Sequence, residues 1–562
     1  MKRVLITISL LAACVALQAQ NLNPVVEVTN VYAREATGIE KPNQLLSLPD
    51  SVYKFDLDFD YTVKSTPYKG AYEFNPYLVQ LRPSARLSGE QKLYLKAGVG
   101  YRMHPEVDFV WNPLRTKNFR LDVYATHNSY IGRYRNITVQ ENVVDWDGTM
   151  RDMSGICSKT SVGTDLWAAF KGGEFTANLQ YRNILATDYF GYEGPRSRTH
   201  NRGQFEARVQ NKPTAKFIYN VGTRLAILGI NTTQEFHTVS DATLGFRMGR
   251  NNSLRITAGL ETVGFEENQS GLKLEVTPHY QFSGKRFNLD LGVKYSYISS
   301  SPLAYAYKGG ILFPDVNFSF RLADAAVVYA AATGGDKLNC KDSLLEDNPY
   351  LGGFSWYRDV TVTRINVFGG IRGSVAGKFS YDLRGGWKWL DNACGWSFIE
   401  TLAPSYDPSS QLVDVPEPDF LVPTMAYVSP LRTVYGQLTL SWVSASWDIM
   451  ARGYYGHTPK PDKETEAELN VFGPPSFTAA GHVFYKWANR IKVGATIETR
   501  SKLNARRPVP GYQDLGFQAD YAFSRHMAVW FKLGNILNQT IQKTPFYAEA
   551  GIYGSVGIKL TF

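Results

Sequence analysis

The last twelve residues of the chain, 551–562, read GIYGSVGIKLTF and alternate between two kinds of side chain. In an extended strand one face carries the apolar side chains Ile552, Val556, Ile558, Leu560 and Phe562. The opposite face carries Tyr553, Ser555, Gly557, Lys559 and Thr561. An open strand of this kind invites aggregation in a soluble domain. A closed barrel in lipid requires it, because its outer wall is apolar and every backbone group is paired around the ring. The stretch therefore predicts a transmembrane β-barrel.

The same two-residue alternation recurs along the chain. Clear examples are residues 91–102, 253–262, 272–282, 287–297 and 378–389. None of their apolar faces carries a charge, as expected for a lipid-facing wall, where a Lys or Arg at mid-bilayer costs about 2–4 kcal/mol. Pro278 is the one residue in these segments that suits a paired strand poorly, because proline has no backbone N–H to donate to the ladder. We therefore expect it near a rim.

Short and long connections alternate between these segments, which sets the expected topology. Ten turn-like stretches separate eleven longer ones when a tight connection at 103–105 is counted with the long set. Single-chain outer-membrane barrels have tight periplasmic turns and longer extracellular loops. The sequence therefore predicts an all-β, transmembrane antiparallel β-barrel of about 22 strands (range 20–24), starting near residue 91, in the bacterial outer membrane.

The N-terminus predicts export. Lys2 and Arg3 precede an apolar run at 4–17, which is typical of a secretory signal peptide cut after Ala19. Residues 11–14 also fit a lipobox, in which Cys14 would be acylated. The mean hydropathy of −0.25 and the absence of an apolar run of roughly 18 residues beyond the signal argue against a helical membrane protein. The expected organisation is 1–19 signal peptide, 20–90 N-terminal periplasmic or lumenal extension, and 91–562 barrel.

Residues 533–539 (LGNILNQ), followed by a loop and the Phe-ending strand, carry a resemblance to a known family. They are similar to the "NLFN" segment before the last strand of TonB-dependent outer-membrane receptors. That resemblance implies a 22-strand barrel that binds or moves a solute across the outer membrane. The family also has a plug domain of well over a hundred residues, for which 20–90 is too short, so we expect at most a reduced plug. Residues 25–29 (VVEVT) resemble the family's energy-coupling segment, and an ordinary β-prone tail is the alternative.

Charged residues on the polar faces predict a mixed-charge lumen. The residues expected to line it are Lys92, Lys96, Arg102, Arg255, Glu261, Lys273, Glu275, Lys294, Asp382, Arg384 and Lys388. As a hypothesis, Asp56, Asp58 and Asp60 dock the leading segment onto this wall, with a solvated strand face as the alternative. Calcium binding at these aspartates is disfavoured because the glycine and distant glutamate of an EF-hand loop are missing.

The long loops supply the candidate ligand site. Tyr350, Trp356, Tyr357 and Trp396 cluster in two of them and could stack on a ligand, whereas packing between loops is the alternative. Cys340 and Cys394 lie in the same two loops and could form a disulfide, with two separate thiols as the alternative.

Other functional classes find little support. The sequence has no HExxH, CxxC, GxSxG or phosphate-binding glycine loop, so we expect no enzyme, cofactor or metal. The formal charge of +9 comes from interspersed basic residues, which does not suggest nucleic acid. Expected partners are outer-membrane lipid and lipopolysaccharide, with TonB or another outer-membrane protein or lipoprotein as further candidates. The alternative function is a non-transporting structural or assembly subunit of an outer-membrane complex.

Overall fold

The computed structural model describes most of the chain beyond residue 91. The described residues are 92–101, 103–139, 149–188, 196–212, 215–230, 233–249, 251–265, 268–301, 304–323, 325–350, 359–403, 417–459, 473–488, 490–504, 508–544 and 547–562. The predicted signal peptide, the 20–90 extension and Asp56, Asp58 and Asp60 lie outside these residues.

Twenty-two antiparallel strands form one closed sheet. The first half consists of β1 (Leu93–Gly100), β2 (Glu106–Arg115), β3 (Phe119–Val139), β4 (Thr149–Phe170), β5 (Gly173–Asp188), β6 (Arg196–Asn211), β7 (Phe217–Ile230), β8 (Thr233–Met248), β9 (Asn252–Gly264), β10 (Ser270–Ser283) and β11 (Phe287–Ser300). The second half consists of β12 (Gly309–Ala323), β13 (Ala326–Leu338), β14 (Val360–Val375), β15 (Phe379–Asp391), β18 (Leu431–Val443), β19 (Trp447–His457), β20 (Phe477–Trp487), β21 (Ile491–Arg500), β22 (Tyr512–Ala522), β23 (Met527–Gly534) and β24 (Tyr553–Thr561). The predicted 22-strand barrel is confirmed.

Two further elements are not part of the ring of 22 strands. The strands β16 (Ala393–Ala403) and β17 (Glu417–Val428) form a hairpin of their own between β15 and β18. A short helix, α1 (Lys341–Asp347), follows β13 and is the single helix in the described part of the chain. Within the described residues, no helix is both long and apolar enough to cross a membrane.

The first and last strands pair to close the barrel, with Gly98 opposite Gly557. A side chain at either glycine would overlap the indole of Trp530, which projects inward from β23 and is 1% exposed. The ammonium of Lys96 lies 4.5 Å from the centre of that ring. The two glycines therefore make room for a large aromatic residue where the sheet closes.

The strand faces follow the predicted alternation. On β9, Leu254 and Ile256 are 48% and 52% exposed to the outside, whereas Arg255 between them bonds Asp290 on the inner wall. On β24, Val556 and Ile558 face outward, and Lys559 is buried inside. An apolar outer wall and a polar inner wall result, as a barrel in lipid requires.

The connections differ sharply between the two ends of the barrel. Ten turns of two to five residues form one end, which we call the short-turn rim: 116–118, 171–172, 212–216, 249–251, 284–286, 324–325, 376–378, 444–446, 488–490 and 523–526. The eleven other connections, most of them longer, form the opposite end, which we call the mouth. The predicted alternation of short and long connections is thereby confirmed.

The expected position of Pro278 is wrong. It lies in the middle of β10, opposite Ile256 of β9, rather than near a rim. On its other side the ladder to β11 is interrupted, since the pairing passes from Val276–Tyr295 to His279–Gly292. The barrel accommodates the missing N–H by leaving out ladder bonds on one side only.

Candidate functional site

One segment of the mouth folds into the barrel. Residues 339–350, which we call the mouth segment, leave β13, form α1 and contact the inner wall at β8, β7 and β6. The segment ends where Tyr350 joins a buried cluster with Tyr130 of β3, ten strands from β13 around the ring. The side chains they contact on β6, β7 and β8 alternate with outward-exposed residues such as Phe205, Ile227 and Phe236. The contacts therefore lie on the lumenal face, and the segment crosses the mouth.

The start of α1 is held by a carboxylate from β8, five strands from β13 around the ring. Glu235 of β8 accepts hydrogen bonds from the backbone N–H groups of Lys341 and Asp342, at 2.8 and 2.9 Å. The first N–H groups of a helix lack partners within the helix. Cys340 at the N-cap makes no side-chain capping bond, so Glu235 satisfies these donors from outside the helix.

Asp342 is the charged anchor of the mouth segment. It is 4% exposed, and one oxygen of its carboxylate accepts a hydrogen bond from Nη2 of Arg202 at 2.7 Å. The other oxygen lies 2.6 Å from Nε of Arg202 in the same ion pair. Arg182 lies 3.6 Å away and His237 lies 3.9 Å away. Burial by itself would raise the pKa of Asp342, but His237, Arg202 and Arg182 outweigh it and lower the pKa to about 2. The carboxylate is therefore ionised at every pH at which the barrel is expected to work.

The charges continue along the inner wall beneath the segment. His237 Nε2 lies 3.0 Å from Glu261, which in turn lies 2.9 Å from the ammonium of Lys273. The thiol of Cys340 lies 3.8 Å from the other ring nitrogen of His237. Alternating positive and negative groups thus satisfy one another across β8, β9 and β10.

Apolar contacts add to these polar ones. Leu344 and Leu345 of α1 pack against Leu228 on β7 and against Cys394 on β16. At the base of the segment, Tyr305 donates to the carbonyl of Asn339 at 3.1 Å and belongs to a fully buried cluster. The mouth segment therefore has a small hydrophobic core of its own inside the barrel.

The far end of the segment rests on a second loop. Tyr350 stacks on Tyr547 with ring centroids 3.8 Å apart and planes 10° apart. His200 on β6 bonds the carbonyl of Pro349 at 2.7 Å. The segment is thus fixed at its start, middle and end, which makes it a constriction rather than a free loop.

The structure places most of the predicted lumen residues on the inner wall. These are Lys96, Arg255, Glu261, Lys273, Glu275, Lys294, Asp382, Arg384 and Lys388. Most are engaged with one another or with aromatic rings; for example, Tyr329 donates to Asp382 at 2.5 Å. Lys92 is exposed just before β1, and Arg102 lies outside the described residues.

The predicted ligand-binding aromatics divide into two groups. Tyr350 is buried in its stack on Tyr547, and Trp396 packs against the α1 core, so both contribute to packing of the mouth. Trp356 and Tyr357 lie outside the part of the chain that the structure describes. Cys340 and Cys394 are thiols in this structure, and the disulfide between them is not formed.

Sequence reasoning missed Asp342, Arg202, Glu235 and His237. All four are polar residues close to the mouth ends of strands, and the three on strands fall on the inward face by the period of two. The period of two could have predicted that the three strand residues point into the lumen. It could not have shown that residues about 100 to 140 positions apart meet, because the contact depends on the path of the mouth segment. Among the described residues, no group of three or more His, Cys, Asp or Glu is arranged to hold a metal ion.

Comparison with known proteins gives similarity in fold only. No family model matches the sequence, and no curated protein matches it. Among solved structures, a mutant of the ferric enterobactin receptor of Pseudomonas aeruginosa in complex with enterobactin matches with a TM-score of 0.61 at 10% identity, over 85% of this chain and 82% of that chain. The FrpB iron transporter of Neisseria meningitidis matches with a TM-score of 0.60 at 10% identity, over 85% and 83%.

The siderophore receptor PirA of Acinetobacter baumannii matches with a TM-score of 0.59 at 9% identity, over 86% of this chain and 83% of that chain. At such low identity the agreement concerns the path of the backbone and not the ligand. The matches cover the closed ring of strands that the sequence resemblance predicted. The chain therefore has the barrel fold of the TonB-dependent outer-membrane receptors.

Proposed function

We propose that this protein is an outer-membrane receptor or transporter that binds a solute at the mouth and moves it through the barrel. The observation that carries the proposal is the mouth segment. A wide barrel whose entrance is crossed by a folded, multiply anchored segment is suited to selective entry. An unobstructed pore of this size would breach the permeability barrier.

The proposal includes location and orientation. The apolar outer wall is embedded in outer-membrane lipid, with the short-turn rim in the periplasm and the mouth at the cell surface beside lipopolysaccharide. Export depends on the signal peptide at 1–19. TonB or another outer-membrane protein or lipoprotein is the partner class that the fold suggests, and the chain acts without enzymatic chemistry.

The ligand class is proposed from the structural neighbours. The matched proteins are described as ferric enterobactin, iron and siderophore receptors or transporters. Ferric siderophores are therefore the first probes for this chain. The inner wall at the mouth contains both signs of charge, so we expect recognition to rely on hydrogen bonds and aromatic contact as well as on charge.

The test uses the full-length mature chain purified in mild detergent. Quenching of tryptophan fluorescence is measured against a panel of ferric siderophores that includes ferric enterobactin, and single-channel conductance is measured in planar bilayers. A second protein, in which residues 341–348 are replaced by a Gly-Ser linker of equal length, is compared with it. We expect saturable binding by the intact chain and a larger, longer-lived conductance for the linker variant.

A different result would favour the structural or assembly role. That role predicts no saturable binding, unchanged conductance in the linker variant, and partner proteins that co-purify in stoichiometric amounts. This combination would refute transport.

A further inference from the structure

The short-turn rim carries an unusual concentration of positive charge. Nine of its ten turns have at least one exposed Lys or Arg in the turn or within the last three strand residues beside it, and the exception is 444–446. A continuous arc of four neighbouring hairpins contributes Lys171, Lys212, Lys216, Arg247, Lys285 and Arg286. We call the exposed Lys and Arg side chains of these nine turns the basic ring.

The positive charges of this arc are not compensated by the protein. None of the six side chains forms an ion pair with a carboxylate in the described part of the chain. Acidic residues on the described strand ends beside the rim, such as Glu174 and Asp448, point inward instead. Glu174 accepts a bond from Trp167 at 2.9 Å, and Asp448 lies 3.1 Å from His482 in a buried site. These acidic side chains therefore form bonds inside the barrel, whereas the basic side chains of the arc are exposed on its outside.

An aromatic belt fixes the depth of the ring in the membrane. Phe170, Phe217, Phe246 and Phe287 each lie next in sequence to a member of the arc, and all four are exposed on the outer wall. Phe217 and Phe246 contact each other with ring centroids 5.2 Å apart. Exposed aromatic belts of β-barrels sit at the boundary between hydrocarbon and headgroups. The basic side chains therefore lie in the headgroup layer itself.

The mouth has the opposite charge character. In the sequence its loops are rich in acids, for example at 141–147, 266–267 and 462–468. A general need for solubility would not separate the two signs by end. This separation of basic and acidic residues is expected if the short-turn rim, but not the mouth, contacts an anionic surface.

We propose that the basic ring binds the phosphate groups of anionic phospholipids in the periplasmic leaflet of the membrane. Lys and Arg donate to phosphate oxygens in charge-assisted bonds, and a ring of them gathers anionic lipids around the base of the barrel. This contact is independent of the solute that the barrel binds. It stabilises the embedded barrel and fixes its vertical position.

The test measures lipid preference and compares two matched variants. The ring variant is Lys212→Gln with Lys216→Gln, both in one short turn. The control variant is Lys308→Gln with Lys502→Gln, both exposed in mouth loops. The full-length protein is equilibrated in mild detergent with equal amounts of phosphatidylglycerol and phosphatidylcholine, and the bound lipids are quantified by mass spectrometry. Folding of each variant is checked by its heat-dependent migration on gels.

We expect wild-type protein and the control variant to retain mainly phosphatidylglycerol, and the ring variant to retain it several-fold less. A basic residue near an anionic surface contributes about a fivefold gain in affinity, so two substitutions give a measurable change. Raising NaCl to 0.5 M should abolish the wild-type preference, because salt screens exposed charges. Equal retention of both lipids by wild-type protein, or the same preference in the ring variant as in the control, would overturn the proposal. The wild-type measurement needs no variant, so equal retention of both lipids by the wild-type protein would refute the proposal even if a substitution impaired folding.

Discussion

Replacing Asp342 by Asn should release the mouth segment from the inner wall while the strands of the barrel stay paired. The side chains of Arg202 and Arg182 are only 7% and 3% exposed, and Asp342 is the carboxylate that the mouth segment brings to them. Removing one partner of a buried ion pair costs about 3–5 kcal/mol, because the other charge is left without compensation. The barrel strands keep their ladders, so the cost falls on the docking of the segment.

This free-energy cost predicts a large increase in the fraction of molecules whose mouth segment is undocked. Since every 1.4 kcal/mol is a factor of ten, the docked state should lose between roughly two and four orders of magnitude in its equilibrium constant. Hydrogen exchange measured by mass spectrometry should show this as faster exchange of the amides of α1. In planar bilayers the same variant should show more frequent or larger openings than the wild-type protein.

A matched control separates this effect from charge removal in general. Asp391 pairs with Arg364 at 2.6 Å, but the Arg364 side chain is 45% exposed. Surface pairs contribute about 0–1 kcal/mol, so Asp391→Asn should leave exchange in α1 unchanged. If Asp342→Asn also left it unchanged, the buried pair would not be what holds the mouth segment.

The pH dependence of the same anchor has a definite sign. The pKa of Asp342 is lowered from 3.8 to about 2 in the folded protein. A depressed carboxyl pKa contributes stability that is complete above the unfolded-state value and is lost as pH falls through the folded-state value. Protection of α1 should therefore be constant from pH 7 to about 4.5, apart from the intrinsic exchange rate, and should fall only in stronger acid.

Three further outcomes follow from the structure. Gly98→Ala should destabilise the closed barrel by about 1–3 kcal/mol through overlap with Trp530, measured as a lower melting temperature on heat-modifiability gels. Gly203→Ala, at a site with no atom within 4 Å, is its control and should change little. His104 in the β1–β2 turn has its pKa lowered to about 4, mainly by burial. The folded protein therefore resists a proton that the unfolded chain accepts, and stability to urea should fall as pH drops from 6.5 towards 4, unless His104 is replaced by Phe. Tyr547→Ala should remove the stack at 3.8 Å and speed amide exchange at the end of the mouth segment.

Each of these outcomes can fail independently. Equal melting temperatures for the two glycine variants would mean that the closing strands separate to admit a methyl group. A pH profile that stayed the same in His104→Phe would assign the acid sensitivity to other groups. Unchanged exchange in Tyr547→Ala would show that the bond from His200 to Pro349 is sufficient at that end.

The local pattern of the sequence determined the fold. The period of two in residues 551–562 and its repeats placed Val556 and Ile558 outside and Lys559 inside, because successive side chains of a strand must point to opposite faces. The alternation of short and long connections then gave the strand number. Both features are read from neighbouring residues, so no distant contact had to be known.

Only the tertiary structure decided what crosses the mouth. Asp342 and Arg202 are 140 residues apart, and nothing in the local pattern of either pairs them. Their contact arises because the curvature of the closed ring brings the inner faces of β6 and β8 within reach of a segment of about twelve residues that leaves the end of β13. Pro278 is a smaller example of the same limit. Its missing N–H predicted a position near a rim, but in the structure it lies mid-strand because the ladder between β10 and β11 is interrupted beside it. Alternation assigns a side chain to a face, whereas its partner across a barrel depends on the closure of the whole sheet.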